Sequence, residues 1–262
     1  MNPLMIDLYA GLGGWAYGGL TEGYNVVGFD IEAWSYPAQL VLQDVLTLHG
    51  SQFKSASLIV ASPPCQEYSY MAMPWSRAKA IAAEYRNGKR DVKKLTALFD
   101  ACFRIQREAS EAAGRHIPMV VENVCGAQPW VGRAKWHYGS YYLWGDVPAL
   151  MPMTRHLQHD GEKVPSGPRF VIEDRGKPRK MGHAKATKND EGIKNARNWW
   201  SDGLGNLSAT TSSHSVARKQ ASALIAKIPF SLALHIARMY KPAYNPKNLG
   251  PQSPVAVRKE EG

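Results

Sequence analysis

At 262 residues, 44% of them hydrophobic, the chain is long enough for one large domain or a domain with a modest insert, and it needs no covalent staple to fold. Its three cysteines, Cys65, Cys102 and Cys125, form no C-x-x-C pair and its eight histidines make no metal-type cluster with them, so neither a disulfide framework nor a zinc site is supported and a reducing cytoplasm is the natural setting. A net charge of +10 points to a polyanionic partner, while no leader pattern and no apolar run near the roughly 18 residues of a membrane span is found, so a soluble protein without membrane contact is expected.

In chain order, residues 4–9 form an apolar run that ends in glycines, 15–20 read as a helix, and 25–29 form a second strand closing on Asp30. Strand, glycine turn, helix, strand is the alternation of an α/β fold with a parallel sheet. A helix is expected over 33–42, a third strand near Val45, and a fourth over 58–61 leading into Ser62-Pro63-Pro64-Cys65-Gln66. The stretch 66–94 reads as a polar, basic loop. From Val92 to Ala109 apolar residues recur at three- and four-residue steps, which predicts a long amphipathic helix ended by Gly114. A fifth strand over 117–121 delivers Glu122-Asn123-Val124, and a sixth is expected over 141–144. From about 148 to 207 the pattern dissolves into glycine, proline, histidine and basic residues, an insert and not core. Helical periodicity returns over 216–240, broken by Pro229, and the proline-rich tail beyond 242 reads as a loose terminus.

Basic residues cluster. Between Arg77 and Lys94 there are seven against two acids, Glu84 and Asp91, and a second rich stretch runs from Arg169 to Arg197. A solvated surface is the bland alternative, and a phosphate backbone is the sharper one.

The turn Asp7-Leu8-Tyr9-Ala10-Gly11-Leu12-Gly13-Gly14 lets the backbone approach a ligand at a helix N-terminus. Asp30, at the next strand end, can accept both ribose hydroxyls, and Asp44 follows in position to meet an exocyclic amine. Together they describe an adenosine-bearing cofactor. With no second phosphate-binding feature, S-adenosylmethionine suits them better than a dinucleotide. Most cysteines outside such a setting are core thiols. Cys65, however, is held by prolines at a strand end on the ligand-binding edge, where neighbouring basic charge favours the thiolate. Glu122 arrives at another strand end on the same edge, as a catalytic carboxylate or as a structural one bound to amides.

These residues resemble the DNA cytosine-5 methyltransferase family, in its compact phage or prokaryotic type. Four elements carry the resemblance in the family's order: the turn at residues 7–14, the acidic strand end at Asp30, Pro63-Pro64-Cys65-Gln66, and Glu122-Asn123-Val124, with a weaker match at Ile228-Pro229-Phe230-Ser231-Leu232-Ala233. The resemblance implies a class I S-adenosylmethionine-dependent methyltransferase fold, α/β and Rossmann-like, with a small irregular target-recognition insert. It divides the chain into a catalytic domain (1–147), the insert (148–207), a helix returning to the catalytic domain (208–242) and a flexible tail (243–262). It implies Cys65 and Glu122 as catalytic residues and Asp7, Tyr9, Ala10, Gly11, Gly13, Gly14, Asp30, Ile31, Asp44, Val45 and Pro64 as cofactor contacts. Pro63, Gln66, Ser69, Asn123, Arg133, Lys135 and His137 are the expected DNA contacts, and residues 66–94 the loop that closes behind a flipped cytosine in double-stranded DNA. A cytoplasmic monomer without metal is expected, in a bacterium or a phage-infected cell, and a cognate restriction endonuclease is not inferable.

Two departures stand out. The family's Gln-x-Arg-x-Arg element is replaced by Arg133-Ala134-Lys135-Trp136-His137, leaving Arg133, Lys135 or His137 to substitute. Where the family has Gly-Asn-Ser-Val, this chain has Ile225-Ala226-Lys227-Ile228. Lys227 is then either a surface lysine lying along the helix, or a contact to the methionine carboxylate, or a selector of an altered donor. The rival activities are cytosine-5 methylation of tRNA, which shares the Pro-Pro-Cys and Glu-Asn-Val elements, and a catalytically impaired nucleic-acid-binding protein on the same fold, which the missing arginines would explain.

Overall fold

The computed structural model describes residues 2–66, 68, 75–152, 223, 224 and 226–243. Most of the expected insert, the tail and Ser69 lie outside the described residues. Seven strands form one sheet: β1 (Leu4–Leu8), β2 (Asn25–Asp30), β3 (Gln39–Leu42), β4 (Ala56–Ala61), β5 (Met119–Asn123), β6 (Trp136–Tyr138) and β7 (Tyr141–Gly145). Their spatial order is β3-β2-β1-β4-β5-β7-β6. The pairs β3-β2, β2-β1, β1-β4 and β4-β5 are parallel, and β7 runs antiparallel to both β5 and β6. A doubly wound sheet in this order with a single reversed strand is the class I methyltransferase fold, Rossmann-like, as the sequence led one to expect.

Side-chain alternation along β1, β4 and β5 divides the core in two. Met5, Leu58 and Val60 meet α1 (Gly14–Thr21) and the C-terminal helix Phe230–Met239 on one face. Ile6, Leu8, Ile59, Met119 and Val121 meet the long helix Val92–Ala113 on the other. The strands most buried on both faces, β4 and β5, are the ones that deliver Cys65 and Glu122. Gly14 has a packing reason: a Cβ there would lie 2.5 Å from the Ile228 nitrogen, so only glycine lets the C-terminal segment close over the start of α1.

Three expectations change. The helix expected over 33–42 is absent: residues 31–38 form an irregular connection and β3 begins at Gln39. Pro37 disfavours helix at Tyr36, and Leu40, Val41 and Leu42 pair in parallel with β2 instead. The strand expected near Val45 is a 3-10 turn, Val45–Thr47, capped by Asp44, whose Oδ1 accepts from the Leu46 amide at 2.9 Å. The basic stretch expected to be a loop contains α2 (Trp75–Arg86), which buries Ala82 and Tyr85 while Lys79, Arg86 and Lys89 stay exposed. The long helix, α3 (Val92–Ala113), is as the periodicity predicts, with Asp91 capping its start and Gly114 in the left-handed conformation at its end. A short α4 (Gln128–Val131) follows β5, and α5 is Phe230–Met239, starting directly after Pro229.

Candidate active site

The C-terminal edge of the parallel strands collects the polar residues singled out above. Asp7 ends up almost wholly buried, 1% exposed, on the α1 face of β1. Its Oδ2 accepts from the Tyr36 hydroxyl at 3.0 Å, and its Oδ1 is the one buried side-chain oxygen without a hydrogen-bond partner among the described residues. Burial pushes the Asp7 carboxyl well above the usual carboxylate range; the Tyr36 bond opposes this and the nearby Asp30 adds to it. An orphaned buried carboxyl oxygen is costly, and a ligand carrying a donor would satisfy it.

Beyond Asp7 the chain turns sharply. Tyr9 is the one non-glycine residue with positive φ (60°) among those described, and Gly11 and Gly13 are left-handed at 48° and 72°. The turn is tied down by Ala10 N–H to Phe29 O at 3.0 Å and Gly13 N–H to Ala10 O at 2.9 Å. Gly13 is hemmed in by Pro37 and Tyr36, whereas a Cβ on Gly11 would meet only the Tyr9 carbonyl at 4.0 Å. One side of the turn is therefore packed and the other open. The Asp30 carboxylate bridges this turn to its own strand end, accepting from Gly11 N–H at 2.9 Å and Glu32 N–H at 3.0 Å; each oxygen retains a further acceptor site. Beside it Ile31 is 71% exposed, an apolar side chain at the same edge, and Asp44 is exposed on its 3-10 turn, while Val45 is buried in the core.

On the other half of the edge, Cys65 is half-buried and outside any disulfide, preceded by buried Pro63 and exposed Pro64 and followed by exposed Gln66. Ser62 roots this turn: its amide donates to Leu8 O at 3.2 Å and its Oγ accepts from Trp15 Nε1 at 3.0 Å. Asn123 roots it again, since its Nδ2 donates to Pro63 O at 3.0 Å in a buried bond while its Oδ1 accepts from Val124 N–H at 2.8 Å. Glu122 is 3% exposed and lies on the α1 face with Tyr141, whose hydroxyl is pushed up by burial and by the Glu122 carboxylate and donates to Lys227 O at 3.0 Å.

The three expected substitutes for the missing arginines lie on and beside β6. Arg133 and Lys135 are exposed, and the Lys135 amide donates to Leu143 O at 2.8 Å. His137 stacks on Tyr142, rings 5.0 Å apart. The Lys227 ammonium lies 4.3 Å from the centre of the Tyr17 ring on α1. Reading the sequence missed Tyr36, Trp15 and Tyr68 as parts of this edge. The Tyr36-Pro37 pair, incompatible with the expected helix, was the signal for the first; nothing local marks the other two.

The residues fit an adenosine-bearing donor: an open-sided glycine turn, an acidic strand end with spare acceptor sites, an exposed apolar neighbour and a buried oxygen in want of a donor. Among the described residues no group of three or more His, Cys, Asp or Glu could hold a metal ion, and no helix is long and apolar enough to cross a membrane.

No protein-family model matches the chain, and no curated protein does. Solved structures do. An E. coli prophage-encoded protein described as a DNA modification methyltransferase aligns at 22% identity with a TM-score of 0.33, over 48% of this chain and 33% of its own. The Dnmt2 methyltransferase of S. pombe aligns at 16% identity and TM-score 0.33, over 50% and 37%. The Entamoeba histolytica methyltransferase EhMeth aligns at 16% and 0.33, over 50% and 41%. The chain thus spans between a third and about two-fifths of the length of these structures.

Proposed function

We propose that the protein is a DNA (cytosine-5-)-methyltransferase, using S-adenosylmethionine to methylate a cytosine turned out of double-stranded DNA. The observation that carries this reading is the buried bond from Asn123 Nδ2 to Pro63 O. It joins the strand end bearing Glu122 to the turn bearing Cys65, on the same sheet edge as the glycine turn.

For the donor, the backbone at Gly11 to Gly14, the spare acceptor sites of Asp30, the Asp44 carboxylate and the Ile31 side chain would hold the adenosine, and Asp7 Oδ1 would accept from the methionine ammonium. Bound there, the donor supplies a methyl group on an electron-poor sulfonium. Everything else is work for the chain. Cytosine C5 is too weak a nucleophile to take that methyl unaided, so the Cys65 thiolate adds to C6 and the C5–C6 π pair moves to C5. Glu122 hydrogen-bonds the ring at N3 and the amino group, stabilising charge as it moves onto the ring. Once C5 carries the methyl group, a base removes the C5 proton. Its electron pair re-forms the C5–C6 bond, and Cys65 leaves with the pair of the Sγ–C6 bond. Exposed Lys79, Arg86, Lys89, Lys93 and Lys94 on and after α2 suit phosphate contacts that hold the duplex while the base is extruded.

A duplex containing 5-fluorocytosine tests this, because fluorine cannot leave C5 as a proton does and the Sγ–C6 bond persists. Trapping on the parent protein and none on Cys65→Ala is the expected result. Labelled methyl transfer to tRNA alone would make the substrate RNA. No trapping with donor present would leave a nucleic-acid-binding protein without this chemistry.

A further inference from the structure

Two tyrosines outside the reaction itself tie the two halves of the site to one helix. Tyr9, in the glycine turn, donates its hydroxyl to the Leu98 carbonyl of α3 at 2.8 Å. Tyr68, 4% exposed, donates its hydroxyl to the Leu95 carbonyl of the same helix at 2.7 Å. Residues 95 and 98 are three apart and so neighbour each other on one helix face. Tyr68 also closes the turn of the nucleophile, its amide donating to Cys65 O at 3.0 Å. Tyr9 needs its anchor for another reason: a non-glycine residue in the left-handed region costs about 1–3 kcal/mol and persists only where its surroundings over-determine it.

We propose that α3 is the common rail of the site: the Tyr9 hydroxyl on Leu98 holds the cofactor turn, and the Tyr68 hydroxyl on Leu95 holds the turn carrying Cys65, which makes Tyr68 a positioning residue for the nucleophile. The proposal rests on reading Cys65 as the nucleophile. Ser62 and Asn123 fix the Cys65 turn on its strand side, and Tyr68 fixes it from the far side, so that the thiol is held between sheet and helix. The two turns leave neighbouring paired strands, β1 and β4, and the helix that receives both anchors fixes them a second time on the side away from the sheet.

The test uses the full chain with Tyr68→Phe and Tyr9→Phe, each of which keeps its ring and loses one hydroxyl. Alkylation of Cys65 by iodoacetamide is followed against pH with peptide mapping to assign the label, beside labelled methyl transfer. For Tyr68→Phe the expected result is a Cys65 alkylation profile displaced severalfold in rate, with kcat down about tenfold at unchanged donor KM, as small misplacements of a reacting group produce. For Tyr9→Phe the expected result is a donor KM raised severalfold with the Cys65 profile unmoved. A parental Cys65 profile in Tyr68→Phe overturns the proposal, and so do equal displacements in both variants, which would mean general loosening. Absence of methyl transfer by the parent protein to either DNA or RNA would count against the proposed function, while the alkylation profiles would still decide the role of Tyr68.

Discussion

Asp146 and Asp7 sit at opposite edges of the sheet, and the two are treated in opposite ways. At the edge away from the candidate site, Asp146 Oδ2 is surrounded: Gln106 Nε2 donates at 2.7 Å, the Met119 amide at 2.9 Å, and His116 Nε2 lies at 3.0 Å. The Asp146 backbone carbonyl takes the Tyr240 hydroxyl as well. That cluster sews α3, β5, β7 and the end of α5 together. At the opposite edge, among the described residues, Asp7 has one partner, Tyr36, and an oxygen with none. The partners of Asp146 serve the fold, whereas the oxygen that Asp7 keeps open is why a ligand contact is proposed for it.

The largest effect should come from the chemistry. Cys65→Ser is expected to lower methyl transfer at least about a thousandfold, since the covalent step has no substitute, while the melting temperature stays within a degree or two; equal transfer by the variant would remove Cys65 from the reaction. At the satisfied edge the contrast reverses. Asp146→Ala strips partners from Gln106, His116 and the Met119 amide, and should cost about 2–3 kcal/mol of stability in urea denaturation with kcat per folded molecule little changed.

Asp7→Asn sharpens the comparison through pH. Burial holds the folded-state carboxyl above its unfolded value, so the folded state resists ionisation that the unfolded chain undergoes freely. Stability tied to Asp7 is therefore fully present below about pH 4, the ordinary aspartate range, and is lost as pH rises through the folded-state value. Asn cannot ionise. The variant should be more stable than the parent near neutral pH and no more stable near pH 3.5, while its donor affinity falls. Denaturation curves at the two pH values check the first part and calorimetric titration of S-adenosylhomocysteine the second.

How much of this was legible beforehand follows the physics. The glycine turn, Asp30, the Pro-Pro-Cys element and Glu122 were readable because strand ends and turns are local: short apolar runs stop at residues whose backbone demands or chemistry are particular to them. The helix α3 was readable from spacing and from Gly114. The apolar residues over 33–42 suggest a helix that Pro37 disfavours at Tyr36, and the tether formed instead brings Tyr36 against Asp7. The helix α2 hid among lysines and arginines, with Ala82 and Tyr85 its clearest buried points. Tyr68 and Trp15 were out of reach, because each joins residues 27 and 47 positions apart, and such pairings exist only in the folded molecule.

Lys227 supplies the smallest effect and divides two readings of the same residue. Its carbonyl is held by Tyr141 and its ammonium lies over Tyr17, one turn into the helix that begins at the glycine turn. A cation over an exposed ring is worth about 0.5–1 kcal/mol, and Tyr17 is exposed, so the lower end applies. A double-mutant cycle with Lys227→Ala and Tyr17→Leu should therefore return a coupling of about 0.5 kcal/mol in stability, with donor affinity and donor selectivity unchanged in Lys227→Ala. A fall in donor affinity with no coupling to Tyr17 would instead assign the ammonium to the donor's carboxylate, because a charge serving a ligand loses its effect when the ligand is absent, whereas one serving the helix does not.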